Sequence, residues 1–226
     1  MKNAALTAPD LAAIAEPPKN CSLCQRLASY RTGNQRAFPD YFNGPAPSFG
    51  AGGAGLLIVG LAPGLHGANR TGRPFTGDYA GRLLYQTLVK YGFAQGTYDA
   101  RADDGLSLGS AMITNAVRCA PPENKPTPAE IKTCRQFLSA RIGALSELRA
   151  IVALGRIAHD STLAALRVRA KDAPFAHGAE HTLPGGLFLF DSYHCSRYNT
   201  NTGRLTEPMF ESVFAAAARR LGAVVS

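Results

Sequence analysis

Four short apolar runs, each apolar throughout rather than alternating, do most to limit the folds open to this chain: GLLIVGLAP (55–63), AMITNAVRC (111–119), AIVALGRIA (150–158) and GLFLFDSYH (186–194). Unbroken apolarity over so few residues is the pattern of strands covered on both faces, and hence of a mainly parallel sheet. Helical patterns lie between and after them: GRLLYQTLVKYG, TPAEIKTCRQFLSARIGAL, RIAHDSTLAALRV and EPMFESVFAAAARRLG. The second carries its own start signal, with Thr127 as N-cap, Pro128 at the first helical position and Glu130 three residues after the cap. The order βαβαβαβα predicts a small doubly wound α/β fold with a four-stranded central sheet. At 226 residues the chain is read as one domain, 1–226. Residues 1–20 are expected to be a flexible or helical extension ending in a linker at Pro17 and Pro18, and the Gly- and Pro-dense stretch 40–55 to be irregular.

Composition narrows the partners. No apolar segment approaches the roughly 20 residues that cross a bilayer, and the N-terminus lacks a signal-peptide core, so a cytoplasmic protein with no membrane partner is expected. The 24 basic residues outweigh the 16 acidic ones, and 18 of the 24 are arginine. That balance makes a polyanion such as nucleic acid a candidate partner, although the charge is spread out rather than gathered in a tail.

In doubly wound folds ligands sit beyond the carboxyl ends of the strands. The unusual residues fall there: the long loop GLAPGLHGANRTGRPFTGD (60–78) after the first run, then Asn115, Arg118 and Cys119, then Asp191, Tyr193 and His194. Three polar clusters are thereby expected on one rim. The loop lacks both the GxGxxG spacing and the GxxxxGK[ST] pattern, which ranks a nucleotide-binding α/β enzyme low.

The five cysteines are Cys21 and Cys24 in CSLC, then Cys119, Cys134 and Cys195. Cys21 with Cys24, and Cys119 with Cys134, the latter two with fourteen residues between them, make two pairs able to grip a metal or cluster. Zinc and an iron–sulfur cluster both accept four thiolates, and spacing does not choose between them. Reduced thiols that only pack are the remaining reading.

Together the loop at 60–78, the block TNAVRCAPPENKPTPAE, the segment SYHCSRYNTNTGRLT, the early CSLC and DYFNGPAPSFG closely resemble the type B uracil-DNA glycosylases, the iron–sulfur branch called family five. The resemblance runs from about residue 20 to the last helix. It implies a three-layer α/β/α sandwich, a [4Fe-4S] cluster on Cys21, Cys24, Cys119 and Cys134, and a monomer that acts in the bacterial cytoplasm, at the nucleoid. It also implies removal of uracil, and for this branch sometimes other deaminated bases such as hypoxanthine or xanthine, from double- and single-stranded DNA.

Such an enzyme must flip the nucleotide out of the duplex and hold it in a fitted pocket. On that reading Phe75 stacks on the extruded ring, and Asn115 reads its Watson–Crick edge with one donor and one acceptor. His194 donates a hydrogen bond to the departing base anion. Backbone N–H groups of the Gly60, Ala62 and Gly64 turn add donors. Asp78 positions water or stabilises the cationic sugar, and also suits N-capping of the next helix. Arg70, Arg73, Arg197, Asn199, Thr202 and Arg204 are expected to contact DNA. The active-site blocks hold no lysine except Lys125 in a proline-rich loop, so hydrolysis is favoured over a Schiff-base lyase.

Two departures stand out. Leu61 occupies the place where related iron–sulfur glycosylases carry glutamate, an absence this branch shares. Cys195 follows the motif histidine where the family usually has proline, which predicts a looser turn at His194 and an oxidation-sensitive thiol beside the site. A non-catalytic, metal-stapled nucleic-acid-binding module is the competing reading.

Overall fold

The computed structural model describes residues 7–222. In chain order its helices are α1 (Ala8–Ile14), α2 (Gln25–Ala37), α3 (Ala68–Thr71), α4 (Tyr79–Lys90), α5 (Pro128–Ala144), α6 (Arg156–Ala165), α7 (Arg197–Asn201) and α8 (Glu207–Leu221). Its strands are β1 (Phe49–Gly50), β2 (Leu56–Gly60), β3 (Ala94–Gln95), β4 (Ser107–Leu108), β5 (Ala111–Asn115), β6 (Ala150–Leu154), β7 (Glu180–Thr182) and β8 (Phe188–Ser192).

The four apolar runs become β2, β5, β6 and β8, all parallel, in the spatial order β5-β2-β6-β8. The four-stranded expectation is corrected at the edges. β1 pairs antiparallel with β5 and β7 antiparallel with β8, giving a six-stranded mixed sheet, and β3 with β4 forms a separate ribbon. The stretch expected to be wholly irregular thus contributes an edge strand of two residues.

Period two explains why the central runs are apolar throughout. Leu56 and Ile58 of β2 face one way and pack with Leu84 and Leu88 of α4 and Phe210 and Phe214 of α8. Leu57 and Val59 face the other way, against Leu138 of α5 and Leu163 of α6. Each alternate side chain meets a helical layer, so no position on these strands is left for a polar residue until the strand ends.

α5 starts as its sequence predicts: Thr127 Oγ1 accepts from the Glu130 amide, and the Glu130 carboxylate accepts from the Thr127 amide at 2.7 Å. Residues 1–6 of the expected N-terminal extension lie outside the described residues. From Thr7 the chain is helical and then fixed: Glu16 accepts from the Ser48 amide, from Arg141 Nη2 at 2.7 Å and from Arg118 Nη2. Arg118, expected on the rim, is instead buried on this carboxylate.

Candidate active site

The site begins with a missing side chain. Gly60 ends β2 directly opposite Asn115, the last residue of β5. A Cβ at Gly60 would collide with Asn115 Oδ1 and come within 2.7 Å of the Phe75 ring. Only glycine there lets the ring and the amide sit side by side. Phe75 is buried and held in left-handed backbone, φ 53°, with its carbonyl accepting from Tyr98 Oη at 3.1 Å. Strained backbone in a non-glycine residue persists only where its surroundings fix it.

Asp78 follows at the N-cap of α4. Its Oδ1 accepts from the Gly81 amide at 3.1 Å, so the capping role is present. Its Oδ2 lies against Gly67, where a Cβ would come within 2.6 Å. Burial raises its pKa, and the amides of Gly81 and Ala80 work against that rise.

Asn115 is 3% exposed, and its side-chain amide has no hydrogen-bond partner among the described residues. A strand-end asparagine that only tied down local backbone would spend those groups. His194, just beyond β8, stacks near Phe75 with ring centroids 5.8 Å apart and planes 26° from parallel. Burial without a charged partner lowers its pKa to about 4, which keeps the imidazole neutral at pH 7.

A cavity of about 420 Å³ gathers these groups: Ala62, Gly64, Phe75, Asp78, Asn115 and His194 all line it, with Gly60 behind the ring and the amide. Tyr79 and Arg197 reach it as well, the guanidinium 5.3 Å over the Tyr79 ring. A second cavity of about 580 Å³ adjoins it across Leu61 and His194. There Arg156 lies over Phe175 at 5.0 Å and Arg204 over Tyr193 at 4.6 Å.

The residues expected to contact DNA divide. Arg70, Arg197, Thr202 and Arg204 are exposed, although Arg70 Nε donates to the His66 carbonyl and Thr202 Oγ1 to that of Tyr198. Arg73 is a correction. Its guanidinium is 4% exposed, gripped bidentately by Asp104 at 2.8 and 2.6 Å and surrounded by Phe49, Tyr85 and Tyr98, so it cannot meet a phosphate. Asn199 is half-buried at the larger cavity and commits its amide to the chain, Nδ2 donating to the His194 carbonyl at 2.8 Å. Asp191 also leaves the rim, engaging His159 at 2.7 Å and His181 at 3.3 Å.

Cys195 is likewise corrected. Its side chain is fully buried against the Ala80 carbonyl rather than lining the cavity, and burial pushes its pKa up. The thiol is neither exposed nor poised as a thiolate, so it is not the oxidation-sensitive group expected.

The other four cysteines meet around a small cavity of their own. Cys24 caps α2, Cys119 follows β5 and Cys134 lies in α5; with Cys21 they line one small cavity closed by Leu27 and Phe137. Arg31 Nη1 donates to Cys119 Sγ at 3.7 Å, and the Arg118 amide to Cys134 Sγ at 3.3 Å. Burial raises the pKa of the Cys24 thiol and pushes those of Cys119 and Cys134 up to about 11 and about 12. Among the described residues no three His, Cys, Asp or Glu side chains close on a single-ion site. Four soft donors around one apolar-walled cavity, with N–H groups aimed at two sulfurs, nevertheless fit a thiolate-bound cluster.

Sequence reasoning passed over Asn124, which lines the smaller cavity with φ 57°, and Arg156, which lines the larger one. Asn124 sits in a proline-rich turn, where asparagine's tolerance of left-handed backbone was a usable signal. Arg156 had none beyond its place after a strand.

An α/β sheet with two adjoining cavities at the carboxyl ends of its strands defines a ligand-handling α/β enzyme fold, and the comparison with known families narrows the class. The profile of the Uracil DNA glycosylase superfamily matches residues 47–218, and the chain belongs to that superfamily. Within it, the chain is 48% identical over 207 residues to the type-5 uracil-DNA glycosylase of Thermus thermophilus, covering 89% of this chain and 94% of that one. It is 43% identical over 210 residues to the type-5 enzyme of Mycobacterium tuberculosis, covering 89% and 78%. A type-4 uracil-DNA glycosylase of Pyrobaculum aerophilum is more distant, 33% identical over 163 residues, covering 72% and 69%.

Proposed function

We infer that this chain is a monofunctional DNA glycosylase that hydrolyses the N-glycosidic bond of uracil in DNA and leaves an abasic site. The observation that carries the reading is the convergence of Phe75, Asp78, Asn115 and His194 on one cavity of about 420 Å³. An extruded base enters there. Phe75 supports its face, and the unspent amide of Asn115 pairs with its Watson–Crick edge.

Cleavage leaves negative charge on the base and positive charge on the sugar. His194, neutral at pH 7, donates its N–H to the ring oxygen where that negative charge collects; a fixed donor in such a position is worth about 10²–10³ in rate. Asp78 faces the developing positive charge and holds the attacking water, while its other oxygen keeps the α4 cap. With Leu61 at the turn, Asp78 is the carboxylate among the described residues that line this cavity, and it carries that duty alone. The cavity has room for a bicyclic purine, which supports hypoxanthine and xanthine as further substrates.

Arg156 and Arg204 flank the larger cavity beside His194 and grip the DNA backbone there, with Arg197 at the adjoining smaller cavity and the exposed Arg70 as a further backbone contact; base flipping from duplex and capture from single strands both use this surface. Cys21, Cys24, Cys119 and Cys134 hold a [4Fe-4S] cluster. Four thiols lining one apolar-walled cavity, with N–H donors to Cys119 and Cys134, support a multi-iron group, with a zinc ion as the alternative. The cluster supplies structural cross-linking, tying the N-terminal segment to α5 and to the segment that carries Asn115. The enzyme works as a single-domain monomer in the cytoplasm; no helix among the described residues is long and apolar enough to cross a membrane.

The test is alkali-labile strand scission of duplexes carrying uracil, hypoxanthine or xanthine, with Asn115→Ala and His194→Ala variants. Uracil release that collapses in both variants is expected. Salt-sensitive DNA binding with no base release would instead establish the non-catalytic binding module.

A further inference from the structure

We propose that Asn199 is the positioning residue of the reaction: its side-chain amide fixes the backbone of His194, and so the aim of the imidazole, rather than touching DNA. The inference rests on the glycosylase reading above and names a part of the machinery that reading leaves open.

The segment after β8 has to present His194 to the cavity and then return as α7. Asn199 joins these two tasks. Its Nδ2 donates to the His194 carbonyl at 2.8 Å, its backbone amide donates to Ser196 Oγ at the α7 N-cap, and its carbonyl accepts from the Leu205 amide at 3.0 Å. Three bonds therefore gather residues 194, 196 and 205 around one residue, and the bond to His194 is the one that belongs to its side chain. The imidazole itself has no hydrogen-bond partner among the described residues, so its direction is set through its backbone and by packing against Phe75. On the opposite side stands Gly155, whose absent Cβ would lie 3.5 Å from His194 Cβ, in ordinary contact and without polar restraint. With Cys195 next in sequence, free to rotate about φ where a proline would not be, the amide is what closes the turn. A donor displaced by a fraction of an ångström from a developing anion loses much of its effect.

The chemistry makes the role separable from a phosphate contact. A residue that aims the leaving-group donor changes the rate of bond cleavage, and matters less when the base is intrinsically a better leaving group. A phosphate contact changes affinity and its salt dependence.

The experiment is single-turnover base release at saturating enzyme from duplexes carrying uracil or 5-fluorouracil, with DNA affinity measured in parallel over a range of salt. Asn199→Ala is expected to slow uracil release tenfold or more, with dissociation constant and salt slope within twofold of the parent, and with a smaller defect on 5-fluorouracil, as for His194→Ala. Asn199→Asp supplies a second reading that needs no undamaged Ala variant. Its carboxylate cannot donate to a carbonyl but its acid form can, so its rate relative to the parent at the same pH rises as pH falls. Unchanged uracil release in Asn199→Ala, or weakened DNA binding with a shallower salt slope and an intact rate, would overturn the proposal. An Asp variant whose relative rate is flat with pH would do so too. A parent protein that leaves uracil in place would fell the glycosylase reading itself, a result distinct from each of these.

Discussion

The Phe75 ring and the His194 imidazole lie nearly parallel with centroids 5.8 Å apart, one from the loop after β2 and the other from the end of β8. Two segments more than a hundred residues apart thus set the aromatic wall of a single cavity. The smallest change able to disturb it is at neither residue.

Gly60→Ala places a methyl group within 2.7 Å of Phe75 and against Asn115 Oδ1. Because β2 is packed on both sides, the strand cannot retreat, and the ring or the amide must move. The expected outcome is a loss of kcat/KM of about 10²-fold, roughly 2.7 kcal/mol of transition-state stabilisation, with secondary structure retained by circular dichroism.

Asp78 holds two posts that substitution separates. Asn at this position remains a good N-cap but carries no charge, whereas Ala removes both cap and charge. Asp78→Asn is expected to lower base release with little change in melting temperature, and Asp78→Ala to lower both, the stability by about 1 kcal/mol. Equal activity in Asp78→Asn and the parent would confine the residue to capping.

The neutral imidazole makes a pH prediction whose sign is fixed by burial. The folded chain takes up the His194 proton only near pH 4, while an unfolded histidine does so near 6.5. Between those values the unfolded state binds more protons, so stability contributed by keeping the ring neutral is present above about pH 6.5 and is lost as pH falls toward 4. Ring ¹⁵N shifts of His194 are expected to report a neutral imidazole at pH 5. Urea melts of His194→Gln are expected to lose less stability between pH 7 and 4 than those of the parent.

Arg73 and Arg204 separate structure from recognition. Arg73→Ala strands the buried Asp104 carboxylate and is expected to cost about 3–5 kcal/mol of folding stability, with the salt dependence of DNA binding unchanged in whatever fraction folds. Arg204→Ala leaves the half-buried Tyr193 ring uncovered, costs little stability, and is expected to reduce the slope of log affinity against log salt by about 1.

The sequence makes some of this legible and hides the rest for physical reasons. The runs holding Leu56 to Val59 and Ile151 to Leu154 announce buried parallel strands because both of their faces must be apolar. Thr127 and Glu130 announce a helix start because the capping box is local. β1 and β7 carry no such signal: an edge strand of two or three residues is defined by the neighbour it pairs with, not by its own pattern. The meeting of the 60–78 loop with Asn115 and His194 follows from the rule that sites lie at strand ends. Which rim residues turn inward does not follow, because Arg73, Arg118 and Asp191 are each claimed by an acid or base distant in sequence, Asp104, Glu16 and His159. Charge alone made Arg73 look like a DNA contact; only its burial beneath Tyr85 and Tyr98 says otherwise.

Phe75 and Asn124 share a property beyond their place at the cavity: both hold left-handed backbone, with φ of 53° and 57°. For an ordinary L-residue that conformation costs about 1–2 kcal/mol, less for asparagine. Glycine would relieve the cost at either position, but at Phe75 it would also strip a buried ring from the core, a loss of about 3–5 kcal/mol that outweighs the gain, whereas at exposed Asn124 it would delete only the amide. Laboratory evolution toward endurance alone would therefore keep the ring and erode the rim of the cavity at Asn124 first.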